Sequence, residues 1–148
     1  MKRLPLLGLL ALLVLSSCSL INAPPPTVVP DQAEAFATQV DAMSENLLMA
    51  MNNRDEAAML KDMDDDMREA SAGGIDDLYQ SIVGKIGQYI PESKKMVKVD
   101  ELEGYRRVFY DATFEQEEHV QVLVVYSLAG AQPLVSGLWF DSPKLRQQ

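Results

Sequence analysis

HVQVLVVYSLA, residues 119–129, is the stretch that decides the fold. Apart from its leading histidine it holds no Asp, Glu, Lys or Arg, and it is dense in branched and aromatic side chains, the composition of a β-strand. Successive side chains of a strand point to opposite faces. Val120, Val122, Val124 and Tyr126 therefore share one face, while Leu123 and Val125 make the other face apolar too. Working outward, KKMVKVDE (94–101), YRRVFYDATF (105–114) and LVSGLWF (134–140) have the same character. The separators LEG, EQEE and GAQP are short polar or glycine-bearing turns, so four antiparallel neighbours are expected. In the last strand, Leu134, Leu138 and Phe140 are expected opposite Val135 and Trp139. A sheet wet on one side should alternate cleanly. The doubly apolar strands predict that a partner subunit, a proline-rich segment or a ligand covers the second face.

Upstream of this region the apolar period changes from two to three and four. Phe36, Val40, Met43, Leu47 and Met51 lie on one face of a helix that is expected to open at Asp31, with Glu34 three residues on, and to end at Asn52 and Asn53. RDEAAMLKDMDDDMREASAGG (54–74) reads as a second helix, capped by Asp55, lined by Met59, Met63 and Met67, and broken at Gly73 and Gly74. IDDLYQSIVGKIG (75–87) reads as a third, burying Ile75, Leu78, Ile82 and Ile86 and closing on Gly87. Three N-terminal helices packed on one face of a four-stranded antiparallel sheet make an α+β domain, expected over residues 31–142, with a tail at 143–148.

The N-terminal residues have a different character. Lys2 and Arg3 precede an apolar run from Leu4 to Val14, the layout of a secretory signal and shorter than the roughly 20 apolar residues of a spanning helix. Leu15, Ser16, Ser17 and Cys18 then resemble the lipobox of bacterial lipoproteins. The resemblance implies a signal peptide over residues 1–17, cut before a lipid-bearing Cys18, the only cysteine of the chain. Stable anchoring takes two or more acyl chains. Residues 18–30, with Pro24, Pro25, Pro26 and Pro30, read as an extended spacer between anchor and domain. Ser19 in place of Asp after the cysteine implies sorting to the outer membrane, with the domain facing the periplasm.

The formal net charge is −9 at pH 7 and becomes more negative once Lys2 and Arg3 are removed. That sign opposes nucleic acid and anionic headgroups as partners. Asp62, Asp64, Asp65 and Asp66 lack the alternating ligands and the glycine of a calcium loop, so a solvated acidic face is expected. The methionine stripe suits core filling better than a soft binding site. His119, beside Glu117 and Glu118, is expected to be solvated at a turn. Asp111, next to Tyr110, could serve as a base if buried; a surface or arginine-paired carboxylate, with Arg106 and Arg107 near, is the better reading. No catalytic pair, metal site or cofactor is expected.

The order of three helices and an antiparallel sheet, with NNRDEAAML (52–60) after the first helix and VSGLWF (135–140) in the last strand, resembles the nuclear-transport-factor-2-like, or cystatin-like, superfamily. It is most similar there to the bacterial domain of unknown function 3887. Asp55 matches the aspartate that starts that group's second helix, and Val135, Ser136, Gly137 and Leu138 match its last-strand pattern. The resemblance covers about residues 32–141 and implies a curved sheet, a cone-like cavity and either binding or acid/base chemistry inside it. The expected function is a non-catalytic domain at the cell envelope that binds a partner, a second copy or a small apolar ligand, with Asp111, Tyr110, Trp139 and Val135 at its cavity or interface. A small envelope enzyme working in the cavity is the alternative.

Overall fold

A computed structural model of the protein describes residues 28–147. The segment expected to be a signal peptide, Cys18 and most of the proline-rich spacer lie outside the described residues. Four helices precede four strands: α1 (Pro30–Asn53), α2 (Glu56–Leu60), α3 (Asp65–Ser71), α4 (Ile75–Ile86), β1 (Lys95–Leu102), β2 (Tyr105–Phe114), β3 (Glu117–Ser127) and β4 (Leu134–Asp141). The strands form one antiparallel sheet in the order β1-β2-β3-β4.

Helix α1 starts one residue earlier than expected, and no side chain caps it. Pro30 stands in its first turn, where a missing N–H costs nothing and the preset φ suits a helix, and Asp31 adds a favourable charge to that turn. Arg54, in the left-handed conformation, ends the helix by donating its N–H to carbonyls of the last turn. Phe36, Val40, Leu47 and Met51 are buried as their spacing requires, and the Phe36 ring meets Tyr126 edge-on at 5.7 Å.

The second expected helix is divided in two, because the edge of the sheet needs the residues in its middle. The Val135 N–H donates to the Asp62 carbonyl at 2.8 Å, and the Asp64 N–H donates to the Val135 carbonyl at 2.9 Å. Met63 is thereby drawn into a parallel bridge with Val135 and is buried. The helix restarts at once, since the Asp64 carboxylate accepts from the Met67 N–H at 2.8 Å. Asp55 caps α2 as expected, accepting from the Ala58 N–H. Asp64 also accepts from the Ser136 hydroxyl, so the aspartate run is partly structural and not only a solvated face.

Strands β1 and β2 are joined by Glu103 and Gly104, both at positive φ, the two-residue turn whose twist suits a hairpin. Register then follows across the sheet. Val108, Tyr110, Ala112, Phe114, Val120, Val122, Val124 and Tyr126 form the inner face with the helices and are buried. In β4 the expected alternation fails at one point. Val125 pairs with Gly137 and Tyr126 with Val135, which leaves Ser136 as an extra residue. The bulge turns Val135 inward beside Tyr126, where it is fully buried, and leaves Leu134 exposed on the outer face with Trp139. Leu138 and Phe140, opposite Val124 and Val122, remain on the inner side. After β4 the chain turns back, with Ser142 donating to Glu117 and Leu145 packed against the core.

Candidate functional site: the outer face of the sheet

Pairing register sorts the outward residues into cross-strand rows. One row runs Lys98, Phe109, Leu123 and Trp139; the next runs Asp100, Arg107, Val125 and Gly137; a third runs Leu102, Tyr105, Ser127 and Leu134. On the other side of the first, Lys95, Asp111, Gln121 and Asp141 form a polar row. Phe109, Leu123 and Val125 are half-buried, while Leu102, Tyr105, Leu134 and Trp139 are exposed, Trp139 by 55%. Among the described residues no second layer therefore covers this face. The Trp139 indole lies over Gly137: a β-carbon there would come within 2.3 Å of the ring. The glycine thus makes room for the chain's only tryptophan to spread across the sheet.

The polar part of this face is ordered. Asp100, fully buried although it points outward, accepts two hydrogen bonds from the Arg107 guanidinium at 2.6 and 2.9 Å and one from the Lys98 ammonium at 2.7 Å. Burial pushes the Asp100 carboxyl up, but the bonds from Arg107 and Lys98 outweigh it and hold the group below its ordinary value. Both cations also lie beside the Phe109 ring, at 5.3 Å for Lys98 and 5.7 Å for Arg107. The arginine near Asp111 thus belongs to Asp100, and Arg106 pairs with Glu101.

Asp111 is a surface carboxylate whose partner is His119, with Oδ2 and Nδ1 2.9 Å apart. His119 is exposed as expected, yet it stands within β3 at positive φ and not in the preceding turn. The hydrogen bond that His119 donates to Asp111, aided by the carboxylate's charge, raises the imidazole pKa. Tyr110, the neighbour of Asp111, points the opposite way into the core, where its hydroxyl lies against Ser44. Of the four expected cavity or interface residues, Tyr110 and Val135 are inner-face core residues, whereas Trp139 and Asp111 are outer-face residues. Cys18 lies outside the described residues.

The interior between α1 and the sheet holds a neutral hydroxyl cluster. Ser44 donates to the Val40 carbonyl at 3.1 Å and lies 2.8 Å from the Tyr110 hydroxyl and 2.6 Å from that of Tyr126. Burial raises the pKa of both phenols. They stay protonated at neutral pH, and no carboxylate or imidazole hydrogen-bonds to them, so the cluster has no base. Nearby, Lys94 reaches Asp41 at 2.9 Å and Glu45 at 2.7 Å, and Tyr89 also donates to Glu45. Burial alone would lower Lys94 and raise Glu45, but these bonds reverse both shifts and keep the pair charged. A shallow recess of about 460 Å³ beside them is lined by Glu34, Thr38, Asp41, Met96 and Tyr110. A smaller one of about 190 Å³ lies among Met59, Met63, Met67, Leu78 and Leu138. Among the described residues no group of three or more His, Cys, Asp or Glu is placed to hold a metal ion.

Strand periodicity groups Trp139, Leu123 and Val125 with Val135 on one face without deciding which face the helices cover, and it does not single out Phe109, Leu102 or Tyr105. The two-residue turn at Glu103 and Gly104 carried the missing signal, because it aligns Leu102 with Tyr105 and sets the register that continues to Phe109. No family model, curated protein or solved structure matches the chain.

Proposed function

We propose that this protein is a bacterial lipoprotein, anchored through Cys18 and facing the periplasm from the outer membrane. Its single α+β domain binds a partner or a small apolar ligand without catalysis. The observation that carries the binding reading is the exposed apolar outer face centred on Trp139, Leu123 and Phe109. Contiguous apolar surface of this kind marks association or ligand binding. The anchor rests on Leu15-Ser16-Ser17-Cys18 and the apolar run before it. We also read the fold as a member of the cone-like, nuclear-transport-factor-2-like superfamily near the domain of unknown function 3887, on the order of helices and strands and the motifs around Asp55 and Gly137. The enzymatic alternative is the weaker one, since Tyr110 and Asp111 occupy opposite faces and the buried hydroxyls lack a base.

The test combines acyl labelling with a probe of the face. Cys18→Ala should abolish palmitate incorporation and leave an unprocessed precursor; equal labelling of both chains refutes the anchor. Trp139→Glu should remove binding of an apolar-surface dye while the helical circular dichroism persists. Unchanged dye binding refutes the role of the outer face.

A further inference from the structure

Resting on the reading of the outer face as a docking surface, we infer that its partner is a second copy of this chain, packed sheet to sheet about a two-fold axis parallel to the strands and between β2 and β3. Such an axis carries β1 of one copy over β4 of the other and β2 over β3, while each cross-strand row stays at its own height. Three of the four rows are complementary to their own reversals, and in the fourth Asp100 and Arg107 stay paired with each other within each chain. Leu102 comes over Leu134 and Phe109 over Leu123, at opposite positions of the same rows. Lys98 comes over the Trp139 ring, a cation–π arrangement, and Lys95 comes over Asp141. Asp141 already accepts from Arg146 in its own chain, and its carboxylate has lone pairs left for the lysine. Asp111 comes over Gln121, Arg107 over Val125, and Asp100 over the indole-covered Gly137. The one approach of like charges, Lys95 towards Arg146, has the Asp141 carboxylate between them. An isologous interface requires this self-complementarity, and two sheets packed face to face keep their strands nearly aligned.

Size sets the expected strength. Four strands about 4.8 Å apart and about eight residues long at 3.4 Å each give a face of roughly 500 Å² in projection. Two such faces fall near or below the lower bound of stable interfaces, about 1,200 Å² in total. The pair is therefore a weak one in solution, and anchoring both copies in one membrane raises their effective concentration.

The geometry predicts a heterotypic cross-link. In one chain Leu102 and Leu134 are separated by three strand spacings, about 14 Å, but across the axis they face each other at the roughly 10 Å between packed sheets. Full-length chains bearing Leu102→Cys or Leu134→Cys, co-expressed in membranes, are treated with a bis-maleimide spanning about 10 Å. Cross-linked dimer is expected only when both chains are present. A parallel arm with full-length Cys18→Ser, purified in detergent at high concentration, keeps the pairing testable if the lipid anchor fails. Trp139→Glu should abolish the product and Trp139→Phe should keep it. Lys95→Glu, at an exposed position outside the core, should reduce it several-fold and keeps the test open if Trp139→Glu does not fold. Cross-linking of Leu102→Cys chains with one another, or no product in either arm, overturns the pairing. In that case retained dye binding at the outer face would leave the broader docking reading standing.

Discussion

Asp100 is the residue where local chemistry departs furthest from expectation, a fully buried carboxylate on a face otherwise open to solvent. It is stabilised by Arg107 and Lys98, both partly exposed, so losing it leaves cations that water can reach. Asp100→Asn should therefore cost about 1–3 kcal/mol, read from the denaturant midpoint. Its pKa in the folded state lies below the ordinary 3.8, so the unfolded chain takes up the proton first. The stabilisation is present above about pH 4 and is lost as pH falls through the lowered folded value. Glu45, likewise held below 4.5, acts in the same direction. Lys94 has the opposite sign: raised above 10.5, it stabilises fully below that value and loses its contribution as pH rises through the folded pKa. Stability against pH should thus fall at both extremes, and Asp100→Asn should flatten the acid limb. An unaltered acid limb would show that Asp100 is not the linked group. At Gly137 the expected effect is optical. Gly137→Ala places a methyl where the indole of Trp139 lies, so it should shift the single tryptophan emission while stability changes little, because the ring can swing aside.

At the scale of elements, the break between α2 and α3 is a competition between helix continuity and the edge of β4. Val135 donates its N–H to the Asp62 carbonyl and accepts from the Asp64 N–H, which leaves the helix no way through Met63. Met63→Ala removes a buried side chain that joins the helices to the sheet and should cost about 2–5 kcal/mol. Asp64→Ala removes the cap of α3 and the partner of Ser136 and should cost about 0.5–2 kcal/mol. Asp66→Ala, in the exposed first turn of α3, should stay within about 0.5 kcal/mol. Equal shifts for all three variants in urea would contradict this division of labour. The same contact explains the Ser136 bulge, since β4 bends where the 62–64 segment meets its edge.

For the whole molecule, anchor and domain are expected to be energetically separate. Cys18 precedes the described residues by ten positions. Cys18→Ala should remove the acyl chains and leave the thermal midpoint of the domain unchanged within about 1 °C, because changes outside a packed core alter stability by no more than about 0.5 kcal/mol. A drop of many degrees on thermal scanning would mean that the N-terminal segment packs on the domain. Association through the outer face should show as a concentration-dependent blue shift of Trp139 emission, absent in Trp139→Phe.

Sequence alone determined the elements whose cause is local. The 3–4 spacing of apolar residues in α1 and α4, the cap at Asp55, the glycine break at 73–74 and the turn at Glu103 and Gly104 all act within a few residues, so they could be read directly. The doubly apolar strands were legible too, but periodicity did not decide which of their two faces the helices cover. What the tertiary structure decided depends on contacts between distant segments. The interruption at Met63 needs β4, 72 positions away in the contact of Asp64 with Ser136. The inward turn of Val135 needs the bulge at Ser136, which shifts the face of a residue by one step of alternation. The pairing of Asp111 with His119 and of Arg107 with Asp100 follows from register, and register joins residues whose side chains no periodicity within one strand can relate.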